Sequence, residues 1–380
     1  MNKDKLDAIL VEAVHQGASD IHLKVGLPPF FRINKKLFPQ EKFGRLTLED
    51  VAAFIVAVVP TEQKRRELFE KGELDISYSI PQVSRFRVNI YKQRGTFAFA
   101  FRILKTKIPS IDELGLPQKL KDIALEKRGL ILVTGPTGSG KSTTIASMID
   151  YRNQQETDVI VTIEDPIEYV FKDKKSYIVQ REVGLDTMSF SSALRAALRE
   201  DPDVIFVGEM RDLETIETAL RAAETGHLVF STLHTQNAKE TINRIIDMFP
   251  LEGQNQIRIL LASTLRAVIS QRLVPRKDGK GLVAAIELLI NTGAIYDAIL
   301  DPEKFETIND LIAKGKQQYG MQTFDQSLLE LYEKGEISKE DALKASENPS
   351  DLELKMKGIS TETSMEDFGT DFGQFLGGDG

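Results

Sequence analysis

The chain has 380 residues, of which 41% are hydrophobic and 28% charged, so it is long enough for two domains and too apolar to be disordered throughout. It contains no cysteine, which excludes disulfide frameworks, thiolate zinc sites and cysteine nucleophiles. Its net charge of −8 argues against a general binder of nucleic acid or anionic membrane.

The N-terminus alternates charge and then spaces Leu6, Ile9, Leu10, Ala13 and Val14 as one face of a helix over 3–16, closed by Gly17. This is not the pattern of a signal peptide, and a cytoplasmic location follows as the expectation. Ile21 to Ile33, broken by Pro28-Pro29, reads as a pair of short strands. Thr47 and Asp50 form a capping-box pattern ahead of the apolar run Val51–Val59, which is far shorter than the roughly 20 residues of a spanning helix. A charged helix follows from Pro60-Thr61 to Gly72. Three strands come next: Leu74–Ile80, Arg85–Ile90 and Phe97–Leu104, the first two with strict alternation. Residues 1–104 are thus expected to form a small α+β domain, an antiparallel sheet with helices on one side.

Residues 105–117 carry two prolines and little periodicity and are assigned as a linker. Beyond them, β-rich runs alternate with helical stretches: Leu130–Thr134, Val159–Ile163, Val204–Val207, Leu228–Thr232 and Leu282–Leu289. That alternation predicts a mostly parallel α/β sheet over 118–350, with helices at 305–347. Residues 351–380 lose periodicity, hold seven acidic residues against two lysines, and are expected to be a disordered acidic tail.

Gly135-Pro136-Thr137-Gly138-Ser139-Gly140-Lys141-Ser142 matches G-x-x-x-x-G-K-[ST] in full, after a strand and before a helix. Such a loop turns successive N–H groups inward onto phosphate oxygens and adds the positive end of a helix. Lys141 then reaches the β- and γ-phosphates of ATP, Ser142 is placed to ligate Mg²⁺, and Thr143 completes the loop. A carboxylate must accompany it. The apolar strand Val204–Val207 ends in Gly208-Glu209, so Glu209 is the acid expected at the carboxyl edge of the sheet, where the usual aspartate is replaced by glycine. Val159–Ile163 ends in Glu164, Asp165 and Glu168, and Glu164 is the candidate for aligning water or holding the metal's surroundings. His234 closes the strand 228–232 at the same edge, a candidate sensor of the γ-phosphate, while His227 at the other end reads equally as structural.

These motifs resemble, in order, those of the secretion and type IV pilus ATPases, and within them the pilus retraction (twitching motility, PilT/PilU-like) branch. The resemblance rests on Gly17–Leu23 with Pro28-Pro29, Arg85–Asn89, the P-loop, Thr162–Tyr169, Arg199–Asp212, Ala223–His234 and Gly320–Asp325, and it covers residues 5–350. It implies a PAS-like N-terminal domain, a RecA-like P-loop ATPase domain with a C-terminal helical segment, and a homo-hexameric ring. In such rings arginines of the N-terminal domain reach the nucleotide of a neighbour; Arg87 and Arg102 are the candidates here, with Arg94 third. It implies ATP and Mg²⁺ as cofactors, either Glu209 or Glu164 as general base with Glu209 preferred, and work on an inner-membrane pilus platform protein, with a paralogous pilus ATPase as a further partner. Assembly-type relatives carry a four-cysteine zinc motif that this chain cannot form, which favours retraction. Thr307–Ala313 stands where the principal motors carry an Ala-Ile-Arg-rich helix, and Met321–Ala345 is as similar to the accessory type, so motor and accessory subunit both stand. A RecA-like nucleic-acid motor shares the P-loop, but 7% aromatics, no tryptophan and an acidic balance give it little support, and no nucleic-acid partner is expected.

Overall fold

The computed structural model describes residues 2–104 and 107–359. Two compact units divide the chain: residues 1–108 with 165–172 and 181–188, and residues 109–164, 173–180 and 189–380.

The first unit is built on a six-stranded antiparallel sheet of β1 (Asp20–Lys24), β2 (Phe30–Ile33), β3 (Lys36–Pro39), β4 (Glu73–Ile80), β5 (Ser84–Gln93) and β6 (Thr96–Ile103), in the order β3-β2-β1-β6-β5-β4. Its helices form where the apolar spacing demands. In Asn2–His15 the residues Leu6, Ile9, Leu10 and Ala13 are fully buried. Helix Leu48–Val58 opens with the expected capping box, Thr47 accepting from Asp50 N while Asp50 accepts from Thr47 N, and Lys5 adds an ion pair to Asp50 at 2.8 Å. Gly72 ends helix Glu62–Lys71 in the left-handed conformation. Alternation along β5 and β6 sends Phe86, Phe99 and Phe101 into one core with Phe54, the rings meeting edge-on or stacked at 5.7–6.3 Å. Arg85 and Ser77 hold the returning segment 181–188 through Glu182, at 2.9 and 2.8 Å.

The second unit contains β7 (Gly129–Thr134), β8 (Val159–Glu164), β9 (Tyr177–Glu182), β10 (Val204–Val207), β11 (Leu228–Leu233), β12 (Leu265–Pro275) and β13 (Leu282–Ile290), in the order β13-β12-β7-β11-β10-β8-β9; the last two residues of β9 belong with the first unit. Strands β12, β7, β11, β10 and β8 run parallel, and β13 is antiparallel to β12. β7, β10 and β11 are buried at every residue, as a sheet covered on both faces requires. The alternating α/β expectation therefore holds, and all the parallel strands present their carboxyl ends on one edge.

Three expectations are corrected: the strand content, the domain boundary and the start of the tail. β3 and β9 are too short or too polar to show a strand pattern, and β12 follows helix Leu251–Thr264 without any turn residue, so none of the three was foreseen. The expected boundary also moves: the first unit runs to 108 and takes in residues 165–172 and 181–188, the latter packing Leu185 against its core and pairing Glu182 with Arg85. Finally, the tail expected from 351 begins inside a helix, Pro349–Met356, whose Leu352 is fully buried in a small cluster with Phe324, Leu328 and Ala342. One buried leucine in two turns leaves no periodicity to read. Residues 360–380, the rest of the expected tail, lie outside the described residues. Among the described residues no helix is long and apolar enough to cross a membrane.

Candidate functional site

β7 delivers the chain into the P-loop and helix Lys141–Gln155 leaves it. Gly135 has φ +140°, and a Cβ there would lie 2.4 Å from the carbonyl oxygen of Gln271 and 2.7 Å from Ser139 Oγ, so only glycine fits. Gln271 of β12 clamps the loop. Its Nε2 donates to Ser139 O at 2.6 Å, and its Oε1 accepts from Thr144 Oγ1 at 2.7 Å. Lys141 is 9% exposed and folds over the loop, its Nζ donating to Gly135 O at 2.7 Å and Pro136 O at 3.1 Å. Ser139 is buried, and among the described residues its Oγ has no hydrogen-bond partner. Pro136, Thr137 and Gly138 are exposed, and Ser142 and Thr143 half-buried at the helix start. A loop of inward donors, an orphaned hydroxyl and a buried ammonium fits a polyphosphate.

The strand register places the acids. Val207 lies opposite Ile163 on one side and Ser231 on the other, and Leu233 lies opposite Thr134. Glu164, Gly208-Glu209, His234 and the P-loop therefore all follow strand ends on the carboxyl edge. Gly208 passes so close to β8 that a Cβ would sit 3.1 Å from Ile163 O and 3.4 Å from Glu164 Cα. This explains why glycine stands where an aspartate was the ordinary choice. Glu164 is buried and accepts from Thr162 Oγ1 at 2.6 Å and Gln180 Nε2 at 3.1 Å. Glu209 pairs with Arg211 through one oxygen at 2.7 Å and meets His234 Nε2 through the other at 3.1 Å. His227 is structural: it precedes β11 at the opposite edge, and its Nδ1 bonds Ala222 O at 3.0 Å, closing helix Leu213–Glu224.

Glu164, Glu209 and His234 do not make a metal cage. Among the described residues no three His, Asp or Glu side chains gather around one point. The donor set, one hydroxyl at Ser142 with carboxylates nearby, fits Mg²⁺ carried by phosphates and water, since this ion keeps several waters and takes one or two carboxylates.

Arg87 and Arg102 belong to the first unit. They are directly opposite each other on β5 and β6. Arg102 donates to Asp20 at 2.9 Å, and Asp20, Asp75, Arg87, Asn89 and Arg102 line an open cleft of about 310 Å³. Burial works to raise the Asp20 carboxyl, but hydrogen bonds from Ser19 and Arg102 hold it below the usual carboxylate range. Arg94 sits in the exposed turn between β5 and β6 with φ +45°.

Residues 2–288 match the family model of the type II/IV secretion system proteins. The chain belongs to that family. It is 46% identical over 341 residues to the type IV pilus retraction ATPase PilT of Pseudomonas aeruginosa, covering 90% of this chain and 98% of that one. To the type IV pilus ATPase PilU of the same organism it is 43% identical over 357 residues, covering 94% and 92%. A crystal structure of the pilus retraction motor PilT with bound ADP superposes with a TM-score of 0.82 at 55% identity, over 91% of this chain and 98% of that one. The chain is accordingly an ATPase of the pilus and secretion type.

Sequence reading missed Gln271, because β12 was not foreseen, and Arg211 and Gln180, which are polar residues just beyond or within strands of ordinary composition. One signal was there to be read: Glu287 is a lone acid inside the apolar run Val283–Ile290.

Proposed function

We propose that this chain is the ATP-hydrolysing subunit of a homo-hexameric motor that retracts a type IV pilus, working from the cytoplasmic face of the inner membrane through a pilus platform protein. The observation that carries the chemistry is the contact of Glu209 with His234 at 3.1 Å on the sheet edge that holds the P-loop. Lys141 and the N–H groups of Thr137–Ser142, with Thr143 behind them, bind the β- and γ-phosphates. Ser142, with Glu164 and Glu209 nearby, would hold Mg²⁺, which when bound supplies screening of phosphate charge. Glu209 takes a proton from the attacking water as the water oxygen bonds to the γ-phosphorus and the bond to the bridging oxygen breaks, releasing ADP and phosphate. Arg211 and His234, one on each oxygen, hold that carboxylate in place, and His234 is poised to register the γ-phosphate.

Arg87 and Arg102 complete the site from a neighbouring subunit. Two guanidinium groups facing each other across strands repel, and Asp20 offsets only part of this. A phosphate group drawn into the cleft would relieve it, and bidentate forks suit phosphate oxygens. The likeness to PilT, a retraction motor by name, supports the pilus as the load.

The test is steady-state ATPase turnover of the full chain together with its mass in solution. A hexamer-sized species with turnover that Lys141→Ala reduces at least about 10²-fold is the expected result. A wild-type chain that hydrolyses nothing in any oligomeric state would overturn the motor and leave an accessory subunit dependent on a paralogue.

A further inference from the structure

One buried acid of the second unit has no part in the chemistry above. Glu287 lies in the middle of β13, 1% exposed, with Ile286 and Leu288 as chain neighbours. A carboxyl so placed needs partners, because burying it without them costs more than any apolar residue would. It has two. Its Oε1 accepts the N–H of Ala238 at 2.7 Å, and Ser270, directly opposite on β12, hydrogen-bonds to it through its side chain.

Ala238 is the first residue of helix Ala238–Asp247. Its N–H is one of the first-turn donors that no helical carbonyl can satisfy, and the positive end of the helix favours an acid there. The rest of this helix start is fastened too. Asn237 accepts from Glu240 N at 2.8 Å, and Thr235 and Thr241 share a hydrogen bond at 2.6 Å. Behind them, Ser270 Oγ accepts from Thr134 Oγ1 at 3.0 Å, at the last residue of β7 before the P-loop. Thr241 Oγ1 reaches Thr134 Oγ1 at 3.5 Å, so a buried polar chain runs from Glu287 through Ser270 to the strand that carries the P-loop, and on through Thr241 to Thr235, the residue after His234. The charged groups facing Glu287 are Arg272 of β12 and Glu347, which pair with each other at 2.9 Å.

We propose that Glu287 is a positioning residue for ATP hydrolysis: by anchoring Ala238 N–H and Ser270 together it fixes the segment His234–Asn237, and through His234 the Glu209 carboxylate, against the P-loop. The inference rests on the reading of Glu209 and His234 as parts of the hydrolytic site. Only Thr235, Gln236 and Asn237 separate His234 from the anchored residue. Freed at that end, the segment can shift by an ångström or so, and misplacement of this size costs about 10²-fold in rate at its upper end.

The experiment uses the full chain and two substitutions, Glu287→Ala and Glu287→Gln. It measures kcat and KM for ATP with magnesium, the affinity for a fluorescent ADP analogue, and amide hydrogen exchange of peptides covering 234–241 and 129–142. Glu287→Ala is expected to lower kcat about tenfold or more, leave ADP affinity within about twofold, and speed exchange in 234–241 but not in 129–142. Glu287→Gln keeps a carbonyl acceptor for Ala238 and a polar partner for Ser270, and should restore most of kcat. A Glu287→Ala protein with wild-type kcat or unchanged exchange overturns the proposal, and so does a glutamine variant as impaired as the alanine one. Should Glu287→Ala fail to fold, Ser270→Ala takes its place, with the same signature expected at smaller size; unchanged kcat and exchange in that variant are equally decisive against it. A wild-type chain without turnover would instead strike the hydrolytic reading, while the exchange measurement still judges the anchor.

Discussion

The carboxyl edge of the parallel sheet and the arginine face of the antiparallel sheet both present charge, but they hold it differently. On the parallel edge, Glu164, Glu209, His234 and the P-loop take their places from strand register, and each is braced by a near neighbour: Thr162 and Gln180 on Glu164, Arg211 on Glu209, Glu209 on His234, and Gln271 on the P-loop. On the antiparallel face, Arg87 and Arg102 are exposed side by side on neighbouring strands, and Asp20 pairs with Arg102. The first arrangement suits chemistry that needs groups fixed to fractions of an ångström. The second suits charge offered to a group that arrives from elsewhere, since exposed arginines lose little by exchanging one anionic partner for another. Mutation should therefore separate the two regions by the kind of loss as well as its size.

The largest effect is expected on the parallel edge. Glu209→Gln removes the proton acceptor while keeping the shape, and should lower kcat by about 10²-fold or more with nucleotide affinity nearly unchanged, read by turnover and ADP binding. If affinity fell by as much as kcat, Glu209 would be binding rather than accepting a proton. Arg102→Ala should come next, with a loss of about tenfold or more in kcat that appears only in the assembled ring. Mixing it with an excess of Glu209→Gln subunits sharpens the contrast: activity should partly return, because one subunit supplies the arginine and its neighbour the acid. No recovery in any mixture would confine the arginines to their own chain's surface.

A smaller effect is expected from Gly208→Ala. The new Cβ would press on Ile163 O at 3.1 Å and Glu164 Cα at 3.4 Å, so overpacking of about 1–3 kcal/mol should lower the melting temperature and displace Glu164. An unchanged melting temperature would mean that β8 and β10 can part at no cost. The smallest is a pH effect. Burial pushes Glu287 up to about 7 from an ordinary value of 4.5, with Glu347 adding to the rise and Arg272, Ser270 and the Ala238 N–H opposing it. The folded chain thus holds a proton there that the unfolded chain has released, and the stability this supplies is lost as pH rises from about 5 through 7. Glu287→Gln should raise the melting temperature at pH 8, with the difference shrinking toward pH 5.

How much was legible follows the same division. The capping box Thr47/Asp50, the buried faces of helix Asn2–His15 and the runs of β7, β10 and β11 were readable because each is a local pattern with one physical outcome. The same holds for the P-loop and for the acids and histidine that end strands. β12 was not readable, since it follows a helix directly, and neither was the helix Pro349–Met356, which buries a single leucine.

The opening composition, without cysteine, excluded disulfide and thiolate chemistry, and the order of its motifs pointed to ATP hydrolysis. That much is carried by residues adjacent in the chain, where spacing alone dictates geometry. What only the tertiary structure decided are the pairings between distant residues: Gln271 on the P-loop, Glu209 with His234, Asp20 with Arg102, and Glu287 on Ala238. Each joins strands or loops separated by tens of residues, and strand order in a sheet is set by how buried faces pack together, which no local pattern records.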